Sequence, residues 1–373
     1  MKIIEINPSD HYRIQQFMDL PFKIYKNIPQ WVPPLETDSK RIFDWDKNPY
    51  YHHSKAAFFL ALSADGAAIG RVAFLNNQHF NEFNHERTAF FYMFECLHDK
   101  EAAEGLFASG FEWAKKHGLN KVIGPRGFSA LDGLGMLVHG FEHRPALGIP
   151  YNLKYYPDLI EAVGFRSESE IVSGYLSGDT LLPPKIQQIS ELVQKRRGLS
   201  IREFRSRKDL RPLISNLKGL YNGMMEGTTD NIPLTDAEAK LIADQLLWFA
   251  DPHLIKVIMK GDIPVGFLLA YPDISAAVQR TNGRIFPFGW IRLLRERRLT
   301  EWVNINGAGI LEEYRGLGGT AILFSEMEKS IHAGKFKHAE IVQIGLENNK
   351  MQRELRDLGI QFYKTHRIYR YTL

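Results

Sequence analysis

Cysteine occurs once, at Cys96, so the chain cannot form an internal disulfide and reads as one kept in a reducing compartment. Long apolar runs are missing too. Nothing approaches the roughly 20 residues that a membrane-spanning helix needs. Charge of one sign is scarce: 47 Lys+Arg face 43 Asp+Glu, and a formal net charge of +4 gives no argument for nucleic acid. Charges at Lys2 and Glu5 come too early for a secretory signal. Low-complexity segments are absent. His11, His52, His53, His139 and His143 are scattered without ligand spacing, so no metal is expected. Two nucleotide signatures are also missing. There is no Gly-Lys-Ser/Thr of a P-loop and no Gly-x-Gly-x-x-Gly after an early strand. What remains is a cytoplasmic, globular protein, 44% hydrophobic and 24% charged.

Against these absences one stretch stands out, from Trp302 to Ser330. Val303, Ile305, Ile310 and Leu311 predict a strand. Arg315-Gly316-Leu317-Gly318-Gly319-Thr320 is a glycine-rich turn. Ala321, Ile322, Phe324, Met327 and Ile331 then fall at helical spacing. Strand, glycine turn and helix make an anion-binding arrangement. The glycines let backbone N–H groups approach a phosphate, and the helix N-terminus adds partial positive charge.

The same order of elements occurs twice. In the first half, strands are expected over 56–62, 69–75 and 88–97, a helix over 102–117 and a strand over 121–124. In the second half, strands are expected over 254–259, 265–270 and 302–311, a helix over 320–333 and a strand over 339–346. A helix over 209–224 opens this half. Gly70 corresponds to Gly266. Leu106-Phe107 and Leu323-Phe324 share an offset that pairs Glu95 with Glu312, which places an inserted segment around 279–298. Both halves close with a short helix ending in glycine, at Gly164 and Gly359, and an aromatic strand, 170–176 and 367–373. A plan that appears twice is hard to produce by chance. The expected division is residues 1–178, a linker helix within 179–199, and residues 200–373.

The turn resembles the acyl-CoA motif of the GNAT superfamily of N-acetyltransferases, Gln/Arg-x-x-Gly-x-Gly/Ala. Arg315 and Gly318 match it, and Thr320 stands where Gly or Ala is usual. The resemblance implies an α+β fold of two tandem GNAT-like acyl-CoA N-acyltransferase domains, each a mixed, mostly antiparallel sheet flanked by helices. It implies acetyl-CoA or another acyl-CoA as co-substrate. Ile310 and Leu311 would pair with the pantetheine arm. The amides of Gly316, Leu317, Gly318, Gly319 and Thr320 would hold the pyrophosphate, with Arg315 adding charge. Asn348 matches the asparagine opening the family's C-terminal helix, or is an N-cap. In the first copy the corresponding residues, His98 to Ala103, have no glycine and carry Asp99 and Glu101, so that copy should not bind CoA.

The chain also departs from the family. Its long strand carries Asn304 and Asn306 where relatives often have a carboxylate, and Leu355 stands at the usual tyrosine. Tyr363 is then the candidate catalytic phenol, or a half-buried strand tyrosine. Cys96 beside Glu95 reads as core. Residues 126–152 resemble an insert of bacterial tandem acetyltransferase-like proteins and are expected to fold over the cleft between the halves. The basic run Ile291 to Arg298 reads as a solvated helix face or a contact for the cofactor's ribose phosphate.

The function implied is N-acylation of a small amine or amino-acid-like acceptor. A non-catalytic acyl-CoA-binding scaffold and an aminoacyl or peptidyl transferase of tandem layout are the alternatives. The partners expected are a small-molecule acceptor, without nucleic acid or membrane; a homodimer is left open.

Overall fold

A computed structural model of the chain describes residues 1–211, 216–225, 231–334, 336–345 and 349–373. The fold is α+β. Its strands, in chain order, are β1 (Lys2–Glu5), β2 (Lys55–Leu62), β3 (Ala68–Asn76), β4 (Thr88–Cys96), β5 (Lys121–Gly124), β6 (Met136–His139) and β7 (Arg166–Ser177). They continue with β8 (Leu199–Arg202), β9 (Ile255–Lys260), β10 (Ile263–Pro272), β11 (Trp302–Ile310), β12 (His338–Gly345) and β13 (Gln361–Thr372).

These strands form one sheet, ordered β1-β2-β3-β4-β5-β13-β7-β12-β11-β10-β9-β8, with β6 pairing β13 from outside that path. Each repeat is antiparallel except for one parallel pair, β4 with β5 and β11 with β12. The two repeats run inward from opposite edges and meet at the centre, where they exchange strands. The last strand, β13, lies against β5 of the first repeat, with Tyr369 opposite Gly124. The first repeat's β7 lies against β12, with Ser177 opposite His338. β13 and β7 pair with each other from Gln361↔Tyr175 to Arg370↔Arg166. The aromatic strand that closes each repeat in sequence therefore completes the parallel pair of the other.

Each repeat buries a helix on the sheet as its spacing requires. The helix Lys100–Lys116 sets Ala103, Leu106, Phe107 and Trp113 against Val72, Phe74 and Phe91. Gly110 has no alternative there, since a Cβ would come within 2.0 Å of the Phe74 ring. The helix Gly319–Ala333 sets Ile322, Leu323, Phe324 and Met327 against Val265, Leu268, Val303 and Ile305. The helix Pro184–Arg197 joins the repeats and adds Val193 to that second core.

The insert 126–152 bridges the halves. Its β6 pairs with β13. Leu134 exchanges two hydrogen bonds with the Gln343 side chain on β12, at 2.9 and 2.6 Å. Ala146 and Ile149 pack on Val342. The segment thus covers one face of the second repeat's central strands.

Candidate functional site

Strand β11 pairs with β12 only through Ile305↔Ile341, yet it follows β10 out to Gly266↔Ile310. Beyond Ile305 no strand pairs with that edge of β11 among the described residues, which leaves a candidate cleft beside it. The Leu311 amide donates to Val265 O at 2.9 Å, toward β10. Backbone groups alternate in direction along a strand, so those of Ile310 face the cleft. Of the two residues expected to meet a pantetheine arm, Ile310 has that orientation and the Leu311 amide does not.

The turn follows directly. Glu312–Tyr314 make one 3₁₀ turn, and Gly316 and Gly318 take left-handed φ of 73° and 89°. The helix then starts at Gly319, with no side-chain cap and no acid in its first turn. The amides of Gly319, Thr320 and Ala321 have no acceptor within the helix. Arg315 sends Nη2 to Met224 O at 2.7 Å and Nε to Ile310 O at 3.2 Å, so its guanidinium braces the mouth of the cleft. Gly318 lies against the joining helix, where a Cβ would come within 2.6 Å of Val193, whereas Gly316 has open space. Asn348 lies outside the described residues.

The first repeat closes the equivalent cleft with its own side chains. Gly70 is opposite Cys96 just as Gly266 is opposite Ile310, so Cys96 is the counterpart of Ile310. This corrects the pairing of Glu95 with Glu312: the register sets Glu95 level with Gly309. The helix offset misleads because three residues lie between Cys96 and Lys100, against eight between Ile310 and Gly319. The Cys96 amide donates to Tyr156 Oη at 3.2 Å, and Cys96 O accepts from Tyr155 Oη at 2.7 Å. Tyr25 and Tyr156 both donate to Glu95 Oε2, at 2.7 and 2.8 Å. Burial raises the Glu95 carboxyl, with Arg71 opposing it, and pushes the Cys96 thiol up to about 12. Asp99 caps the following helix by accepting from the Ala102 amide at 3.0 Å. Strand edge and helix start are both occupied internally.

On the face of β11 away from its helix lies a polar knot that sequence reasoning missed. Asn304 Nδ2 donates to Asp273 Oδ1 at 3.2 Å, and Arg144 from the insert reaches Asp273 Oδ2 at 3.0 Å. Beside them Lys364 Nζ lies 2.5 Å from Glu340 Oε1, both side chains at most 3% exposed. Burial raises the Glu340 carboxyl and lowers the Lys364 ammonium, and each partner opposes the other's shift. Tyr363 contacts Glu340 through its hydroxyl and is pushed well above the usual phenol range by burial and that carboxylate. Leu355 is buried in the core, with no phenol at that position. A signal existed for part of this knot: Asn304 and Glu340 are polar residues inside largely apolar strands, whereas Lys364 lies in a strand of mixed composition.

Among the described residues His53, His79 and Glu238 bring three ligand-type atoms within 4.8 Å of one another. Glu238 already accepts from the Thr235 amide at 2.8 Å and contacts His53 at 3.2 Å.

No family model matches the chain. The curated protein YghO of Escherichia coli K12 is 24% identical over 372 residues, covering 98% of this chain and 93% of its own. The bacterial ceramide synthase of Caulobacter vibrioides is 23% identical over 368 residues, covering 95% and 94%. A solved tandem GNAT protein from the clavulanic acid biosynthesis pathway superposes with TM-score 0.57 at 11% identity, over all of this chain and 98% of its own. A GCN5-related N-acetyltransferase from Sphaerobacter thermophilus gives 0.51 at 14% identity, covering 99% and 95%. The chain has the tandem GCN5-related N-acetyltransferase fold, its two copies joined through exchanged strands.

Proposed function

We propose that the protein is an acyl-CoA-dependent N-acyltransferase whose second repeat holds the thioester. The observation that carries this reading is the open edge of β11 leading into an uncapped helix N-terminus. The strand edge suits an extended amide-bearing arm, and the free helix amides suit a pyrophosphate. Arg315, Gly316, Leu317, Gly318, Gly319 and Thr320 would surround the phosphates, and acetyl-CoA or a longer acyl-CoA would be the co-substrate. The amine nitrogen attacks the thioester carbonyl and loses a proton. The C–S bond breaks, and the departing thiolate takes a proton.

The amine is a small or amino-acid-like acceptor on the first reading. The relative called bacterial ceramide synthase, aligned along 95% of this chain, favours a second reading in which the amine belongs to a long-chain lipid. CoA release measured over a panel of both amine classes separates them. Binding without release with any amine would leave an acyl-CoA-binding scaffold.

Leu317→Asp is the cleaner probe of the phosphate site, because Gly318→Asp would also collide with Val193. It puts a carboxylate beside the helix start and is expected to weaken acyl-CoA binding at least about tenfold by calorimetry. Unchanged affinity would remove the site. Tyr363, on this reading, keeps its proton near neutral pH and serves the thiolate as a donor, never as a base. Tyr363→Phe is expected to lower kcat on the order of 10²-fold with KM for acyl-CoA unchanged. An unaffected kcat would return Tyr363 to a packing role.

A further inference from the structure

The segment 284–299 is built unlike the rest of the surface. Phe286 and Phe288 are 74% and 72% exposed, and Trp290, Ile291, Leu294 and Leu299 are also exposed. Among the described residues the helix Gly289–Leu299 is held from one side. Leu293 packs in a small core with Leu35, Ile274 and Val278, while Glu296 pairs with Arg280. Its outward side carries Trp290, Ile291 and Leu294, flanked by Arg295 and Arg298. Arg284, Arg295 and Arg298 are exposed and have no ion pair among the described residues. The segment's one acid, Glu296, is spent on Arg280. A solvated face has no use for two bare phenylalanines and a tryptophan side by side.

We infer that residues 284–299 dock the protein on an anionic lipid surface. Phe286, Phe288 and Trp290 would enter the boundary between headgroups and acyl chains. Arg284, Arg295 and Arg298 would meet the lipid phosphates from the same side. The joint presence of apolar tip and unpaired cations selects this occupant, since a purely apolar partner gains nothing from the arginines and nucleic acid little from the aliphatic residues. No helix among the described residues is long and apolar enough to cross a membrane, so the contact is peripheral. The inference stands apart from acyl transfer and needs no catalytic residue.

The test is cosedimentation of the full chain with vesicles of phosphatidylcholine alone or mixed with phosphatidylglycerol. The wild type is expected to pellet with the anionic vesicles, and to be released by raised salt. Arg295→Glu with Arg298→Glu should weaken that binding at least about tenfold. Phe286→Ser, Phe288→Ser and Trp290→Ser together should abolish it, with unchanged thermal melting showing that the fold survives. Protein that stays in the supernatant with every vesicle overturns the inference. So does binding that ignores the charge reversals, or tighter binding to a homopolymeric RNA. A dimer that the triple variant dissociates, without vesicle binding, assigns the face to a second copy instead.

Discussion

A chain ending at Gly359 is expected to lose its first repeat along with its final strand. Among the described residues β13 is the only partner of β5 on that side, and it also carries β6 and one edge of β7. Tyr369 is fully buried in the first repeat's core, and Tyr371 stacks on Phe111 with centroids 4.2 Å apart. Arg367 grips Glu170 with two nitrogens, at 3.0 and 2.8 Å. Removing 14 residues therefore opens the sheet at its centre, not at an edge. Burying one large aromatic side chain contributes about 1.5–3 kcal/mol. Tyr369, the partly buried Tyr371 and the ladders on both sides of the strand together approach the whole of a domain's about 5–15 kcal/mol. The intact chain should unfold in one transition by circular dichroism. The truncated chain should show no protected amides in β5 or β7 by hydrogen exchange. Protected amides there would mean that the first repeat is complete without β13. The division at residues 179–199 remains a proposal about the sequence; the strand exchange crosses it.

Lys364→Met is expected to destabilise the protein by about 3–5 kcal/mol, since it leaves the buried Glu340 carboxylate without its cation. The loss should depend on pH. Burial already raises the Glu340 carboxyl, and Lys364 is the strongest influence holding it down. Without Lys364 the folded-state value rises further above the unfolded one. Glu340 then contributes fully below the unfolded pKa of about 4.3, and that contribution is lost as pH climbs through the raised folded value. The urea midpoint of the variant should fall from mildly acidic to neutral pH more steeply than that of the wild type. Adding Glu340→Gln should recover much of the loss and flatten the pH dependence. A variant with the wild-type midpoint at neutral pH would show that the pair is not buried as described.

Strand, turn and helix over 302–333 were legible because their signals are local: alternation, glycine, then helical spacing. The length and apolarity of 126–152 also marked it as more than a connector, and it does bridge the halves; its place over an acceptor cleft is a proposal. Strand exchange was not legible, because the alternation in Gln361–Thr372 is the same whichever neighbour the strand takes. The pairing of Glu95 with Glu312 failed because two similar helices hide a difference in turn length. The helix Asp236–Phe249 went unread although Thr235 and Glu238 form a capping pattern that announces it. The hydroxyls that close the first cleft come from Tyr155 and Tyr156, which read in sequence only as the start of a helix. No local signal ties them to Cys96, some 60 residues away.

The exchange also sets an order of assembly. β5 leaves the ribosome roughly 240 residues before β13 does, a delay of about 10–50 s at ordinary elongation rates. Throughout that interval the nascent first half presents an unsatisfied strand edge flanked by Phe91 and Phe107. Such an edge is a natural target for a holding chaperone, and a pause in synthesis within the second half would prolong the risk of aggregation.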